Sequence, residues 1–375
     1  MNTMIDLLSL IAEDQTIDRA YSWLCQARKD YSSNSDVWNF RRHWGKVKPK
    51  LQKMLKEGTY EFGPLQQHRF QDKMVTLWCS QDALVLRAMA SVLGDKIRPQ
   101  LSHVYHVKGQ GGIGGALAYV RQNLKEHTYV LKTDIKQYYE SITHKVLLTH
   151  LEELVPDERV MMLVKKALLR TETYGGLYWD VREGIPMGSA LSPLLGAVAL
   201  HVWDKAMEKL GVIHARYMDD LIVLTTTRHA LKRSVRVTHK ILEALKLRLH
   251  PDKTFIGKIS RGFDYLGCYI EPKGARLSTA CTLKAATKAH QLYEQTRDEE
   301  RVRRYWKRFL RWGEGMVIRA AGEAVAMRGA GRMIYAARGL ARPFSLGRLG
   351  GVGPGGSEES FLAYGSATAP VFATR

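Results

Sequence analysis

The chain has 375 residues, and its 57 Lys and Arg outnumber 37 Asp and Glu to leave a formal net charge of +20. That length can bury a sizeable core in one domain or two, and the charge favours a polyanionic partner, nucleic acid first. Four scattered cysteines, Cys25, Cys79, Cys268 and Cys281, form no CxxC pair, which argues against a zinc centre or a disulfide framework.

In chain order, residues 1–58 read as helices that become basic and aromatic. The stretch "VWNFRRHWGKVKPKLQKMLKEG" sets Trp38, Phe40 and Trp44 among seven Lys or Arg, with Gly58 as a helix stop. The opening "MNTMIDLLSLIAEDQT" lacks the basic leader and apolar core of a signal peptide, and no apolar run reaches membrane-spanning length, so a cytoplasmic protein is expected. Residues 59–130 are mixed, with "GQGGIGG" at 109–115 as a loop. From 129 the order becomes regular: a strand at "YVLKTDI", a helix at "THKVLLTHLEELV" and a long helix from Ser192 to about Leu210. There Ser192 suits the N-cap, Pro193 the first turn and Gly211 the far end. A hairpin at 213–226, a helix over 229–246 and short strands near 254–258 and 263–270 follow. This order predicts an α+β fold with helices covering one face of an antiparallel sheet.

Residues 276–312 predict an amphipathic helix. Arg297, Arg301, Arg304, Arg308 and Arg311 recur on one face, beside a stripe of Val302, Tyr305, Phe309 and Trp312. Taken alone, such an arginine face is a solvated surface; in so basic a chain it is also a candidate nucleic-acid grip. Residues 313–375 hold no Lys and no Asp but much Gly, Ala and Arg, including "GRLGGVGPGG". Too few large apolar side chains are present to offset the entropy of ordering, so a disordered tail is predicted.

The chemistry is concentrated in "ARYMDDLIVLTT" (215–226), where Asp219 and Asp220 stand at the tip of an apolar hairpin. Either aspartate alone is an ordinary turn residue. Asp134 in "VLKTDIKQYYESI" also ends a strand, and three carboxylates at strand ends of one sheet repel one another unless cations lie between them. Hard oxygen donors suit Mg²⁺, and two such ions can promote in-line phosphoryl transfer.

These residues resemble the reverse transcriptase family. "LKTDIKQYYESI" (131–142), "GIPMGSALSP" (184–193) and "YMDD" (217–220) are similar to three successive motifs of its palm, in the same order and spacing. "LHPDKTFIGK" (249–258) resembles its lysine-bearing fourth motif, "FDYLGCYI" (263–270) its primer-grip hairpin, and "WCSQDALVLRAMASVL" (78–93) its fingers segment. The resemblance covers about 59–312 and implies a right hand: fingers and palm over 59–272, a helical thumb over 273–312, preceded by the basic helical extension 1–58 and followed by the tail 313–375. It implies Asp134, Asp219 and Asp220 as catalytic metal ligands, with Ile135 in both the metal and nucleotide sets. Two Mg²⁺ ions, or Mn²⁺ in their place, are implied with them. Tyr139 falls at the family's steric gate against the ribose 2′-hydroxyl, with Tyr138 as a rival. Lys253 matches the lysine that protonates departing pyrophosphate, Arg69 and Lys73 lie where the fingers grip the triphosphate, and Gly188 allows close backbone approach. Met187 departs from the family's Gln before that glycine, and a thioether cannot reproduce the polar contacts of an amide.

The implied activity is RNA-directed DNA synthesis on a primer 3′-hydroxyl from dNTPs and an RNA template. A cognate non-coding RNA and a retroelement or anti-phage setting are further expectations. A template-independent nucleotidyltransferase and an RNA-binding maturase or chaperone with an idle palm are the alternatives.

Overall fold

A computed structural model of the protein describes residues 6–70 and 73–321, without the side chains of residues 69, 70 and 73–75. Four helices come first: α1 (Leu7–Ile11), α2 (Asp14–Ala27), α3 (Asp36–Arg42) and α4 (Trp44–Glu57). Gly58 ends α4 at φ 72°, a left-handed conformation that glycine adopts without a Cβ clash. The hairpin β1 (Leu65–Phe70) and β2 (Lys73–Leu77) leads to α5 (Ser80–Ile97). The opening helices are part of this region's core, since Leu8, Ile11, Ile17 and Leu24 share one apolar cluster with Leu84, Val85 and Met89 of α5. Buried Arg28 fastens the two together by donating to Trp78 O at 2.7 Å and Ser80 Oγ at 2.8 Å.

The chain continues through α6 (Gly112–Asn123), β3 (Tyr129–Asp134), α7 (His144–Leu154), α8 (Glu158–Leu168), β4 (Thr171–Tyr174) and β5 (Leu177–Asp180). Then come α9 (Ser192–Ala199), α10 (His201–Lys209), β6 (Ile213–Tyr217), β7 (Asp220–Thr225) and α11 (Arg228–Ala244). The last elements are β8 (Phe255–Lys258), β9 (Phe263–Tyr265), β10 (Cys268–Glu271), β11 (Gly274–Leu277), α12 (Thr279–Thr296) and α13 (Glu299–Ala321).

The central sheet has the order β6-β7-β3-β8, antiparallel throughout. Side chains alternate between its faces. Leu131, Leu221 and Val223 point into the large cluster that contains α7, α9 and α11, whereas Val130, Ile222 and Leu224 pack with Ala116, Leu117 and Met316 of α6 and α13. Helices therefore cover both faces, where one covered face was predicted; the second becomes covered because α13 returns against α6. In a second sheet, β2-β1-β4-β5, the first two strands precede the central sheet in sequence and the last two are inserted between its β3 and β6; a third sheet, β11-β10-β9, follows.

Other expectations need correction. Part of "GQGGIGG" is helical, since α6 starts at Gly112 with Gly111 as its cap at φ 93°. The predicted helix from Ser192 to Leu210 breaks at Leu200. The buried guanidinium of Arg216 donates to the carbonyls of Gly196 (3.3 Å) and Ala197 (2.8 Å), which residues 200 and 201 would need to continue the α-helix. Ser192 is the first helical residue rather than the cap, and its hydroxyl donates to Pro186 O at 2.5 Å. The helix predicted over 276–312 is a strand end and two helices, parted at Arg297 with φ 49°. Asp298 then accepts from Arg301 N at 2.9 Å and starts α13 afresh. That helix runs past 312 to Ala321, burying Gly313, Met316, Val317 and Ala320, so the tail boundary predicted at 313 is too early. Residues 322–375 of the predicted tail lie outside the described residues.

Candidate active site

Strand register places the first two carboxylates. Asp134 at the end of β3 lies directly opposite Asp220, the first residue of β7. Alternation puts both on the face that carries Lys132 and Ile222. Asp219 stands in the two-residue connection of the β6–β7 hairpin, where Tyr217 pairs with Asp220. Its carbonyl accepts from Ile135 N at 3.2 Å, which ties the hairpin tip to the end of β3. The side chain of Ile135 is buried in the large apolar cluster, so only its backbone faces this chemistry.

Burial, followed by the charges of Asp134 and Asp220, pushes the Asp219 carboxyl up to about 7. Burial also raises Asp220, against the pull of Lys132. Carboxylates in this state lack sufficient counter-charge. Two lysines supply some: Lys132 Nζ lies 3.2 Å from Asp220 Oδ1, and Lys253 Nζ lies 3.1 Å from Asp134 Oδ1. Among the described residues no three His, Cys, Asp or Glu side chains form a ready-made metal cage. Mg²⁺ does not need one, because it commonly takes one or two carboxylates and completes its shell with water and substrate phosphate. The all-oxygen donors and the repulsion at Asp219 fit such an ion.

The hairpin tip is held from behind. Met218 adopts φ 56°, unusual for a residue with a side chain, and its N–H donates to His106 Nδ1 at 2.9 Å. The other ring nitrogen, Nε2, donates to Pro193 O at 3.0 Å. Burial pushes His106 down to about 3, so its imidazole is neutral and carries the two roles at once. Beside it, Arg216 and Asp204 form a buried ion pair at 2.5 Å that joins β6 to α10.

The two tyrosines separate clearly. Tyr138 is buried, with its hydroxyl donating to Gly196 O at 2.5 Å. Tyr139 is less buried, its hydroxyl has no hydrogen-bond partner among the described residues, and Asp219 contributes to the raising of its phenol, after burial. A Cβ at Gly196 would lie 3.0 Å from Tyr139 Cε1, so glycine lets the ring rest against α9. Gly188 has φ 86°, and Met187 O accepts from Thr76 Oγ1 at 3.2 Å, which brings the "PMG" loop against β2. The Met187 side chain is half exposed. Arg69 and Lys73 take part in the β1–β2 ladder, but their side chains lie outside the described residues.

Arg301, Arg304, Arg308 and Arg311 are exposed on α13. Arg297 is not on that helix; it sits at the joint after α12, paired with Glu294 at 3.0 Å. Sequence reading missed Lys132, His106 and the Arg216–Asp204 pair. Strand alternation alone puts Lys132 on the carboxylate face, and that signal was available. His106 reaches partners 87 and 112 positions away, which no local pattern announces.

Residues 51–270 match the sequence model of the family described as reverse transcriptase (RNA-dependent DNA polymerase). The chain is similar to Protein YkfC of Escherichia coli strain K12, 26% identical over 183 residues, which is 40% of this chain and 48% of that protein. It is also similar to the group II intron-encoded protein LtrA of Lactococcus lactis subsp. cremoris, 27% identical over 200 residues, 51% of this chain and 33% of LtrA. The chain thus spans about half of the first relative's length and a third of the second's. Among solved structures, a telomerase from Candida albicans superposes with a TM-score of 0.48 at 11% identity, over 81% of this chain and 62% of that one.

Proposed function

The chain belongs to the reverse transcriptase (RNA-dependent DNA polymerase) family, and on that basis we propose that it extends a primer 3′-hydroxyl with deoxynucleotides copied from an RNA template. The observation that carries the reading is the placement of Asp134 opposite Asp220, with Asp219 in the adjoining turn raised by burial and then by its neighbours' charges. Bound at Asp134, Asp219, Asp220 and the backbone of Ile135, two Mg²⁺ or Mn²⁺ ions would supply activation of the attacking hydroxyl and stabilisation of the leaving oxygen.

The chain's own groups do the rest. Lys253, already 3.1 Å from Asp134, is placed to give a proton to departing pyrophosphate. The Tyr139 ring, its hydroxyl without a partner among the described residues, takes the place beneath the sugar where a 2′-hydroxyl would collide, while Tyr138 serves packing. Gly188 admits the base pair, with Met187 offering apolar contact in place of an amide. Arg69 and Lys73 hold the triphosphate from the fingers, and the arginine face of α13 holds the duplex. The similarity to LtrA supports a retroelement setting.

Primer extension by Asp134→Ala and Asp219→Ala tests this. Each should lose at least about a thousandfold in rate, because several kcal/mol of transition-state stabilisation disappears. Asp219→Ala should melt no lower than wild type, since a repelling carboxylate is removed rather than core volume, whereas Asp134→Ala also gives up the ion pair with Lys253. Full-length cDNA from either variant in Mg²⁺ would sink the reading.

A further inference from the structure

The helix α11 lies on the face of the central sheet opposite the one that bears Asp134, Asp220 and Lys132. It packs there through Leu231, Ser234, Thr238 and Leu242, which are buried. The opposite pole of the helix carries His229, Arg233, Arg236 and Lys240, all exposed. Arg228 and Lys232 flank this stripe, and Glu243 is the helix's single acidic residue. None of these five Lys or Arg has a carboxylate partner among the described residues.

A merely solvated helix face mixes both signs. Here Arg228, Lys232, Arg236 and Lys240 follow one another at i, i+4 spacing, so each successive pair is like-charged and weakens the helix. Arg228 also stands in the first turn, where the helix dipole disfavours a cation and where no acidic residue is present. The arrangement works against the helix unless an external anion offsets it. The outward face offers no large apolar side chain for insertion between lipids, because the apolar face is spent on the sheet. An RNA polyphosphate matches both the charge and the lack of an apolar surface. RNA is also the polyanion that a member of this family meets as template.

We propose that the outward face of α11 is a second nucleic-acid surface, which binds the phosphate backbone of an RNA duplex on the far side of the palm from the carboxylates. The stripe from residue 229 to 240 is about 16 Å long at the helical rise, enough for a few phosphates. Only the choice of RNA rests on the proposed polymerase activity; the surface itself does not need it. Regions of a long template that lie outside the cleft would be held there while synthesis proceeds.

The test uses the full chain saturated with a short primer–template that fills the cleft, to which a labelled RNA hairpin of about 20 base pairs is added at several salt concentrations. Wild type should bind the hairpin without releasing the primer–template. Arg233→Gln, Arg236→Gln and Lys240→Gln together should weaken hairpin binding at least about tenfold and lower its salt slope by roughly three units. Primer–template affinity in the same variant should stay unchanged, which also reports an intact fold. Displacement of primer–template by the hairpin, or an unaltered slope, would overturn the proposal. So would loss of binding to phosphatidylglycerol vesicles with hairpin binding intact, or tighter binding of a DNA hairpin than of the RNA one. Because binding is read rather than synthesis, an inactive polymerase would leave every outcome legible.

Discussion

At the scale of single residues, the turn between β6 and β7 is held where its own chain would not choose to rest. A two-residue connection with positive φ at its first position only is the type II′ pattern, which usually takes glycine there. This chain has Met218, and the conformation costs about 1–3 kcal/mol unless its surroundings impose it. His106 imposes it by accepting from Met218 N while anchored on Pro193 O. His106→Leu should remove both bonds, lower stability by about 1–3 kcal/mol and reduce kcat roughly tenfold or more. KM for dNTP should change little, because both imidazole nitrogens are taken up by Met218 N and Pro193 O. His106→Gln, which can both donate and accept, should restore part of kcat. Steady-state primer extension and urea unfolding measure these effects, and a fully active His106→Leu would show that the turn holds itself.

At the scale of elements, one ion pair decides how α9, α10 and β6 meet. Arg216 and Asp204 are essentially without solvent contact, and burial pushes the Asp204 carboxyl up to about 6 against the attraction of Arg216. Arg216 also takes the two carbonyls whose loss breaks the helix at Leu200. Such a pair adds little net stability, but removing one partner strands a buried charge. Asp204→Leu should therefore cost about 3–5 kcal/mol, read as a lowered urea midpoint. Adding Arg216→Met should recover part of that loss, because the stranded guanidinium goes with it. If the double variant were no more stable than Asp204→Leu alone, the cost would lie in packing instead.

At the scale of the whole molecule, the basic extension predicted for 1–58 is built into the core. Leu8, Ile11, Ile17 and Leu24 are buried against α5, and Arg28 bonds across to Trp78 and Ser80. A chain beginning at residue 59 should expose that surface of α5, bind a hydrophobic dye and aggregate, rather than fold as a shorter domain. Soluble yield and near-ultraviolet circular dichroism of the truncated chain measure this. A cooperative unfolding transition in it would show that the helices are an appendage.

The sequence by itself was enough for the palm motifs, the strand ends that carry Asp134 and Asp220, the hairpin with Asp219 at its tip, most helices and the arginine face of α13. Those features depend on local periodicity and on residue chemistry at fixed spacing, and both are present in any short window. The break at Leu200 was hidden because the group that causes it, Arg216, acts through space on carbonyls that look ordinary in sequence. The extension of α13 to Ala321 depends on its close packing on β11, where Gly313 leaves no room for a Cβ beside Leu277. Only the tertiary structure separated Tyr138 from Tyr139, by giving one hydroxyl a partner and leaving the other without one among the described residues. Only it brought Lys253 to Asp134 and His106 behind the Met218 turn, because sheet register and long-range packing, not neighbouring residues, determine which of these groups meet.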